Sequence, residues 1–135
     1  MKCKLIFSSA TVLLVLLFVG CKKDHAAPAP VAIVLEGMYT GNCGSGNEVP
    51  ATPLKYNFKT GGIIENISPY NGTLVALGTW TLNAHVLKGS YATFFPPYSK
   101  RSFLADFDYA TGKITGTWGL DNNYSNGGKI EMTKQ

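Results

Sequence analysis

Few side chains in this 135-residue chain have types and spacings suited to chemistry. Asp106 and Asp108 form the best carboxylate pair. Two carboxyl groups on one strand face can flank a sugar as acid and nucleophile. Here they lie opposite Phe103, Ala105 and Phe107, which puts them on a wet face where nothing raises one pKa above the other. Asp121, Asn123 and Ser125 offer oxygens two residues apart, as a calcium loop does. Gly127 then comes one residue late, and Met132 stands where a bidentate Glu belongs. A single carboxylate holds Ca²⁺ poorly. His85 falls at an expected hairpin turn, and Cys43 in the loop Gly41–Asn47. One imidazole and one thiol separated by loops support neither a zinc site nor a Cys-His pair. Gly-x-Ser-x-Gly, His-Glu-x-x-His and Gly-x-x-x-x-Gly-Lys are all missing from the sequence. The chemistry therefore reads as non-catalytic, with no metal or cofactor indicated.

Recognition is better served. Phe94-Phe95-Pro96-Pro97-Tyr98-Ser99-Lys100-Arg101 sets three aromatic rings and two prolines beside a guanidinium. Aromatics and Arg are common anchors at binding surfaces, and a guanidinium clamps carboxylates bidentately. Phe94 and Phe95 are expected to plug one end of the domain, with Tyr98 exposed.

The elements that must position these groups are strands. Leu54, Tyr56 and Phe58 alternate with polar residues, as do Phe103, Ala105 and Phe107, and Ile130 and Met132. Alternation of period two marks strands with one buried and one wet face. Eight strands are predicted, at 35–41, 53–59, 62–67, 73–83, 86–93, 102–109, 112–119 and 128–134. Asn71-Gly72, Thr111-Gly112 and similar turn residues make successive strands antiparallel neighbours. The sequence thus predicts an all-β, up-and-down antiparallel barrel over residues 34–135. Val75 and Leu77 add apolar residues to the second face of the longest strand, either covered or part of a partner surface.

Gly37-Met38-Tyr39, Gly78-Thr79-Trp80, Gly89-Ser90-Tyr91 and Gly116-Thr117-Trp118 share the pattern Gly-x-aromatic. Glycine two residues before a ring lies on the same face and leaves room for a neighbouring ring. Tyr39, Tyr56, Phe58, Trp80, Tyr91, Phe103, Phe107 and Trp118 are expected to point inward. Eight rings favour a mostly filled interior with a shallow mouth, although Tyr39, Tyr56, Trp80, Tyr91 and Trp118 are also the residues that would line an amphipathic pocket. Gly78-Thr79-Trp80 and Gly116-Thr117-Trp118 resemble the Gly-x-Trp strands of lipocalins and avidins. Their order resembles small lipoproteins with lipocalin-like domains over residues 36–134. The resemblance implies a fold; no ligand-contact set matches residue by residue, and fold does not imply function.

The N-terminus reads as an address. Lys2 and Lys4 precede an uncharged stretch from Leu5 to Gly20, too short for the roughly 20 residues of a comfortable membrane span. Residues 1–20 fit a secretory signal peptide. Phe18-Val19-Gly20-Cys21 resembles the lipobox of bacterial lipoproteins, in which the cysteine carries a diacylglycerol, becomes the first residue and is acylated. Lys22 rather than Asp after that cysteine implies the outer membrane. Residues 21–33, rich in Ala and Pro, read as an extended tether, with His25 solvated. Cys3 leaves with the signal peptide and Cys21 takes lipid, so Cys43 stands alone and an intramolecular disulfide framework is excluded. Cys43 is a reactive thiol, an intermolecular bridge or simply a small residue tucked at the barrel rim. The last is plainest, because no basic residue is near it in sequence.

The formal charge of +4 also belongs mostly to the address. The domain itself carries eight basic and seven acidic side chains, so a nucleic-acid partner loses its basis. The expected partners are the membrane through lipid on Cys21, a small hydrophobic or aromatic ligand or a glycan, and alternatively an envelope protein met by the 94–101 and 42–53 loops. A single acyl chain holds a protein marginally and two or more hold it stably. Cys21→Ser is therefore expected to move the protein from the membrane to the soluble fraction. An intact mass showing unmodified Cys21 in the wild-type mature chain would remove the lipoprotein reading.

Overall fold

A computed structural model describes residues 33–135, and the signal peptide, Cys21 and most of the tether lie outside the described residues. The alternating segments form eight strands: β1 Gly37–Cys43, β2 Thr52–Lys59, β3 Ile63–Ile67, β4 Leu74–Asn83, β5 Val86–Thr93, β6 Lys100–Asp108, β7 Lys113–Leu120 and β8 Gly128–Lys134. Each pairs antiparallel with the next, and β1 closes on β8 (Tyr39 opposite Lys134, Cys43 opposite Ile130). The all-β, eight-stranded barrel expected from the sequence is the observed fold. Closure leaves no unpaired edge among these eight strands.

The largest difference in bounds is at β1. It runs two residues later than expected, so Cys43 is its last residue, inward-facing and buried, rather than part of a flexible loop. Leu35, which the sequence put in this strand, is instead buried beneath it as a cap. Ile33 is likewise fixed: its N–H donates to Tyr109 O at 3.0 Å, and its side chain packs on the core. The tether thus ends against the barrel at residue 33. Leu77 is exposed on the outer face of β4, while Val75 on the same face is half-buried beside the 94–99 loop.

Up-and-down topology sorts the connections into two ends. The 60–62, 84–85 and 109–112 turns lie at one end, together with Ile33 and Gln135. The longer 44–51, 68–73, 94–99 and 121–127 loops lie at the other. The first is called the hairpin end here and the second the loop end.

Rings fill the interior. Tyr39, Tyr56, Phe58, Tyr91, Phe103 and Phe107 are buried, and Trp80 and Trp118 pack against them half-buried. Tyr56 stacks on Phe103 (5.8 Å between centroids), and Phe58 meets Tyr39 edge-on at 5.3 Å and Trp80 at 6.0 Å. Offset and edge-to-face pairs are the favoured geometries. The glycines make this possible. Gly89 faces Trp80 on one side and Phe103 on the other, and the Phe103 ring occupies the place a Gly89 side chain would take. A Cβ on Gly116 would run into Leu104 O and the Ala105 backbone across the ladder. That neighbour is backbone, with no rotamer to yield. Gly116→Ala is expected to cost about 3 kcal/mol, at the upper end for an overpacked interior. Urea denaturation checks this, and a loss below about 1 kcal/mol would mean that the ladder is not so tightly closed there.

Candidate functional site

The loop end brings together what the sequence scatters. On β6 the inward parity set by Phe103, Ala105 and Phe107 continues to Arg101, so its side chain enters the barrel mouth. Its guanidinium carbon lies 5.0 Å from the Trp118 ring centroid. Trp118 is itself oriented by a hydrogen bond from Nε1 to Gly44 O at 2.9 Å. Below them, the Tyr56 and Tyr91 hydroxyls hydrogen-bond to each other at 2.8 Å. Cys43 completes this layer, close enough to feel the Arg101 charge.

The 94–99 loop forms one wall. Phe94 N–H donates to Val75 O at 3.0 Å, and Ser99 N–H donates to Thr93 Oγ1 at 2.9 Å, tying the loop to β4 and β5. Between this loop and β6 lies a cleft of about 260 Å³, lined by Val75, Thr93, Phe95, Pro96, Pro97, Ser99 and Arg101. Phe94 and Phe95 do not plug the barrel, contrary to the expectation from sequence. They are 43% and 57% exposed, and Tyr98 is 76% exposed. The physical reason is volume: Tyr56, Tyr91, Phe103 and Trp118 already occupy the interior, leaving the loop rings only the rim. Val49, Tyr70 and Tyr124 on the other three loops are exposed as well, giving this end an apolar crown.

The candidate residues therefore divide. Trp118, Arg101, Phe94, Phe95 and Tyr98 meet at the loop end, with Tyr56 and Tyr91 beneath. Trp80 belongs to the hairpin end, where Nε1 donates to Lys59 O and Ile63 O. Tyr39 lies among Phe58 and Phe107, away from the mouth. Sequence reasoning missed Thr93 as a cleft residue and did not join Val75 to the 94–101 segment. It also missed the approach of Arg101 to Cys43, which only barrel closure creates. Arg101's inward direction was readable from its spacing to Phe103.

The other chemistry-bearing groups are engaged elsewhere. Asp108 accepts from Ala110 N and Thr111 Oγ1 in the 109–112 turn, and those hydrogen bonds hold its carboxyl below the usual range. Asp106 lies on the outside, 3.7 Å from His85. In the 121–127 loop, Asn123 Oδ1 takes the Ser125 N–H and Asn126 Oδ1 takes the Leu120 N–H. Asn122 Oδ1 accepts from Lys100. Of the oxygens that suggest a calcium loop, Asn123 Oδ1 and Ser125 Oγ are thus spent within the loop.

Electrostatically, the mouth is unusual in one respect. Arg101 Nε is buried and has no hydrogen-bond partner. The ion pairs among the described residues are Lys59–Glu65, His85–Asp106 and Lys113–Glu131, and Arg101 joins none of them. The side chain as a whole is half-buried, and among the described residues it has the Tyr91 hydroxyl and the Trp118 ring beside it but no carboxylate. Its contact with Trp118 is worth about 0.5–2 kcal/mol. The charge is therefore incompletely compensated within the described residues.

Comparison with protein-family models, with curated proteins and with solved structures finds no match to this chain.

Burial raises all three interior phenols. Tyr39 is pushed up to about 12, and Tyr56 well above its ordinary value, both chiefly by loss of solvent. Tyr91 is also raised by burial, with the Tyr56 hydrogen bond and the Arg101 charge pulling the other way. The folded state thus keeps protons that the unfolded chain releases near 10.0. Stability is full below that pH and falls as pH rises from 10 toward 12. Tyr39 Oη is buried without a partner. Tyr39→Phe is expected to raise stability at neutral pH by about 1 kcal/mol, by removing an unsatisfied hydroxyl. It should also flatten the alkaline decline. Urea midpoints from pH 7 to 12 test both, and an unchanged alkaline slope in the variant would exclude Tyr39 as a contributor.

Proposed function

We propose that the chain is a non-catalytic, lipid-anchored binding module of the cell envelope, similar in kind to lipocalin-like lipoproteins. Its signal peptide ends at Gly20, and lipid on Cys21 holds it at the outer membrane. It takes a small hydrophobic or aromatic ligand, or a glycan, at the mouth of the barrel. The observation that carries this reading is the cleft at the loop end, walled by Phe95, Pro96 and Pro97 and floored by Arg101. The ligand sits at the mouth because rings occupy the interior. The direction of the barrel supports the reading. Residue 33 docks at the hairpin end, so a tether from Cys21 would pull there and leave the loop end facing away from the membrane.

A second reading is favoured by the exposed crown of Val49, Tyr70, Phe94, Phe95, Tyr98 and Tyr124. Exposed apolar side chains on the loops of one end suit a protein partner, here another envelope protein held or inhibited through the aromatic loop. A photo-crosslinker at Tyr98 should then capture one defined protein in the envelope.

The binding reading is tested by thermal shift with neutral aromatics, apolar acids and glycans. A true ligand raises stability by about 2.7 kcal/mol at a hundred times its Kd. Phe95→Ala is expected to weaken binding by about 2 kcal/mol, as loss of a central ring does, without lowering Tm. If no compound raises Tm and none is sensitive to Phe95, the binding reading fails and the crosslinking result decides for or against a protein partner.

A further inference from the structure

We infer that the loop-end cleft is a carboxylate site, in which Arg101 anchors a singly charged carboxylate joined to an aromatic or apolar body. The inference rests on the binding reading above and names the chemistry of its ligand.

Four observations carry it. The guanidinium lines the cleft, its Nε is buried without a partner, and no carboxylate of the described residues pairs with it. It is held against the face of Trp118, which fixes the plane of its donors. A fixed, planar fork of N–H groups matches a carboxylate edge to edge. The polar groups nearest the charge are neutral: Tyr91 below, Thr93 and Ser99 at the cleft wall. Tyr91 already hydrogen-bonds to Arg101, and because all three are neutral they can complete the shell of one anion without cancelling the cation's charge. Finally, the neighbouring Lys100 does not join in, because its Nζ is held by Asn122 Oδ1 at 2.9 Å. One available cation suits a monoanion; a phosphate dianion would call for more positive charge than the cleft supplies.

The walls decide what the carboxylate is attached to. Val75, Phe95, Pro96 and Pro97 are apolar and leave no ionic partner for a second charge. At about 260 Å³ the cleft is smaller than ordinary ligand pockets of about 300–1,000 Å³. It therefore takes the acidic end of a molecule whose remainder rests on the exposed rings of Phe95 and Tyr98. An aromatic acid and a uronic-acid glycan both present this chemistry, since the faces of sugars and of rings alike rest on aromatic side chains.

The two tryptophans make the test internally controlled, because Trp118 lies at the site and Trp80 at the opposite end. The ¹⁵N-labelled mature protein is titrated with phenylacetate, with phenylacetamide, and separately with glucuronate and its methyl ester. Phenylacetate is expected to shift the Trp118 indole and Ser99 amide resonances, leave the Trp80 indole in place, and bind at least tenfold more tightly than the amide. Glucuronate behaving likewise against its ester would assign the glycan source, and silence of glucuronate beside a response to phenylacetate would assign the aromatic acid. In Arg101→Gln the preference for acid over neutral analogue should fall to parity, and Arg101→Lys should keep only part of it. Equal binding of acid and neutral analogue at the same resonances would overturn the carboxylate site and leave the binding module standing. No shift from either acid, with neutral ligands still raising Tm, would have the same consequence. Silence of every compound at these resonances would remove both. The comparison of acid with amide uses the unaltered protein, so the result stands even if an Arg101 variant fails to fold.

Discussion

The constraint on which this structure depends is volume inside a closed eight-stranded barrel. Closure fixes the lumen, and the lumen must be filled without voids. This chain fills it with rings and makes room for them with glycines at the facing positions. Gly78 faces Tyr91, Gly89 faces Trp80 and Phe103, and Gly37 faces Phe58. Tyr91, Trp80, Phe103 and Phe58 thus each find a missing side chain on one side of the ladder. Sheet curvature and core packing have the same cause here, because the glycines that admit the rings also let adjacent strands approach.

A filled lumen leaves only the ends of the barrel open. With Tyr56, Phe58 and Phe103 in mutual contact along the interior, a ligand has no place to enter deeply. What remains is the end of the barrel where the connections are long enough to build walls. Topology makes the two ends unequal. Short turns, Ile33 and the buried Leu35 close the hairpin end, while four longer loops surround the mouth. The two tryptophans show the same division. Trp80 staples the 60–62 turn through two carbonyls, whereas Trp118 supports a guanidinium.

Much of this was legible in the sequence, and the parts that were not have a common origin. Period-two alternation located the eight strands, and Gly-x-aromatic located inward positions, because both are properties of single strands. Arg101 belongs to this legible class, two residues before inward Phe103. The exposure of Phe94 and Phe95 does not, because it depends on how much lumen other strands have already filled. The approach of Cys43 to Arg101 also escapes, since β1 and β6 share no ladder and meet only through the closed lumen. Burial raises the Cys43 thiol while Arg101 opposes the rise. The cation that was missing from its sequence neighbourhood is thus present in space.

Two buried polar atoms of the described residues lack partners, and their difference is instructive. Tyr39 Oη is neutral and sits deep among rings. Its penalty is that of one desolvated hydroxyl, about 1–3 kcal/mol, and the ring's packing offsets it. Arg101 Nε belongs to a half-buried guanidinium that joins no ion pair of the described residues, and its neighbours Trp118 and Tyr91 are neutral. A barrel that needed only to close its mouth would do so more stably with an apolar side chain at position 101. The charge stands instead at the floor of a cleft, beside neutral donors and under an exposed aromatic rim. An apolar side chain there would pack the mouth without leaving a buried donor unpaired, so the packing of the lumen does not by itself account for a guanidinium at this position.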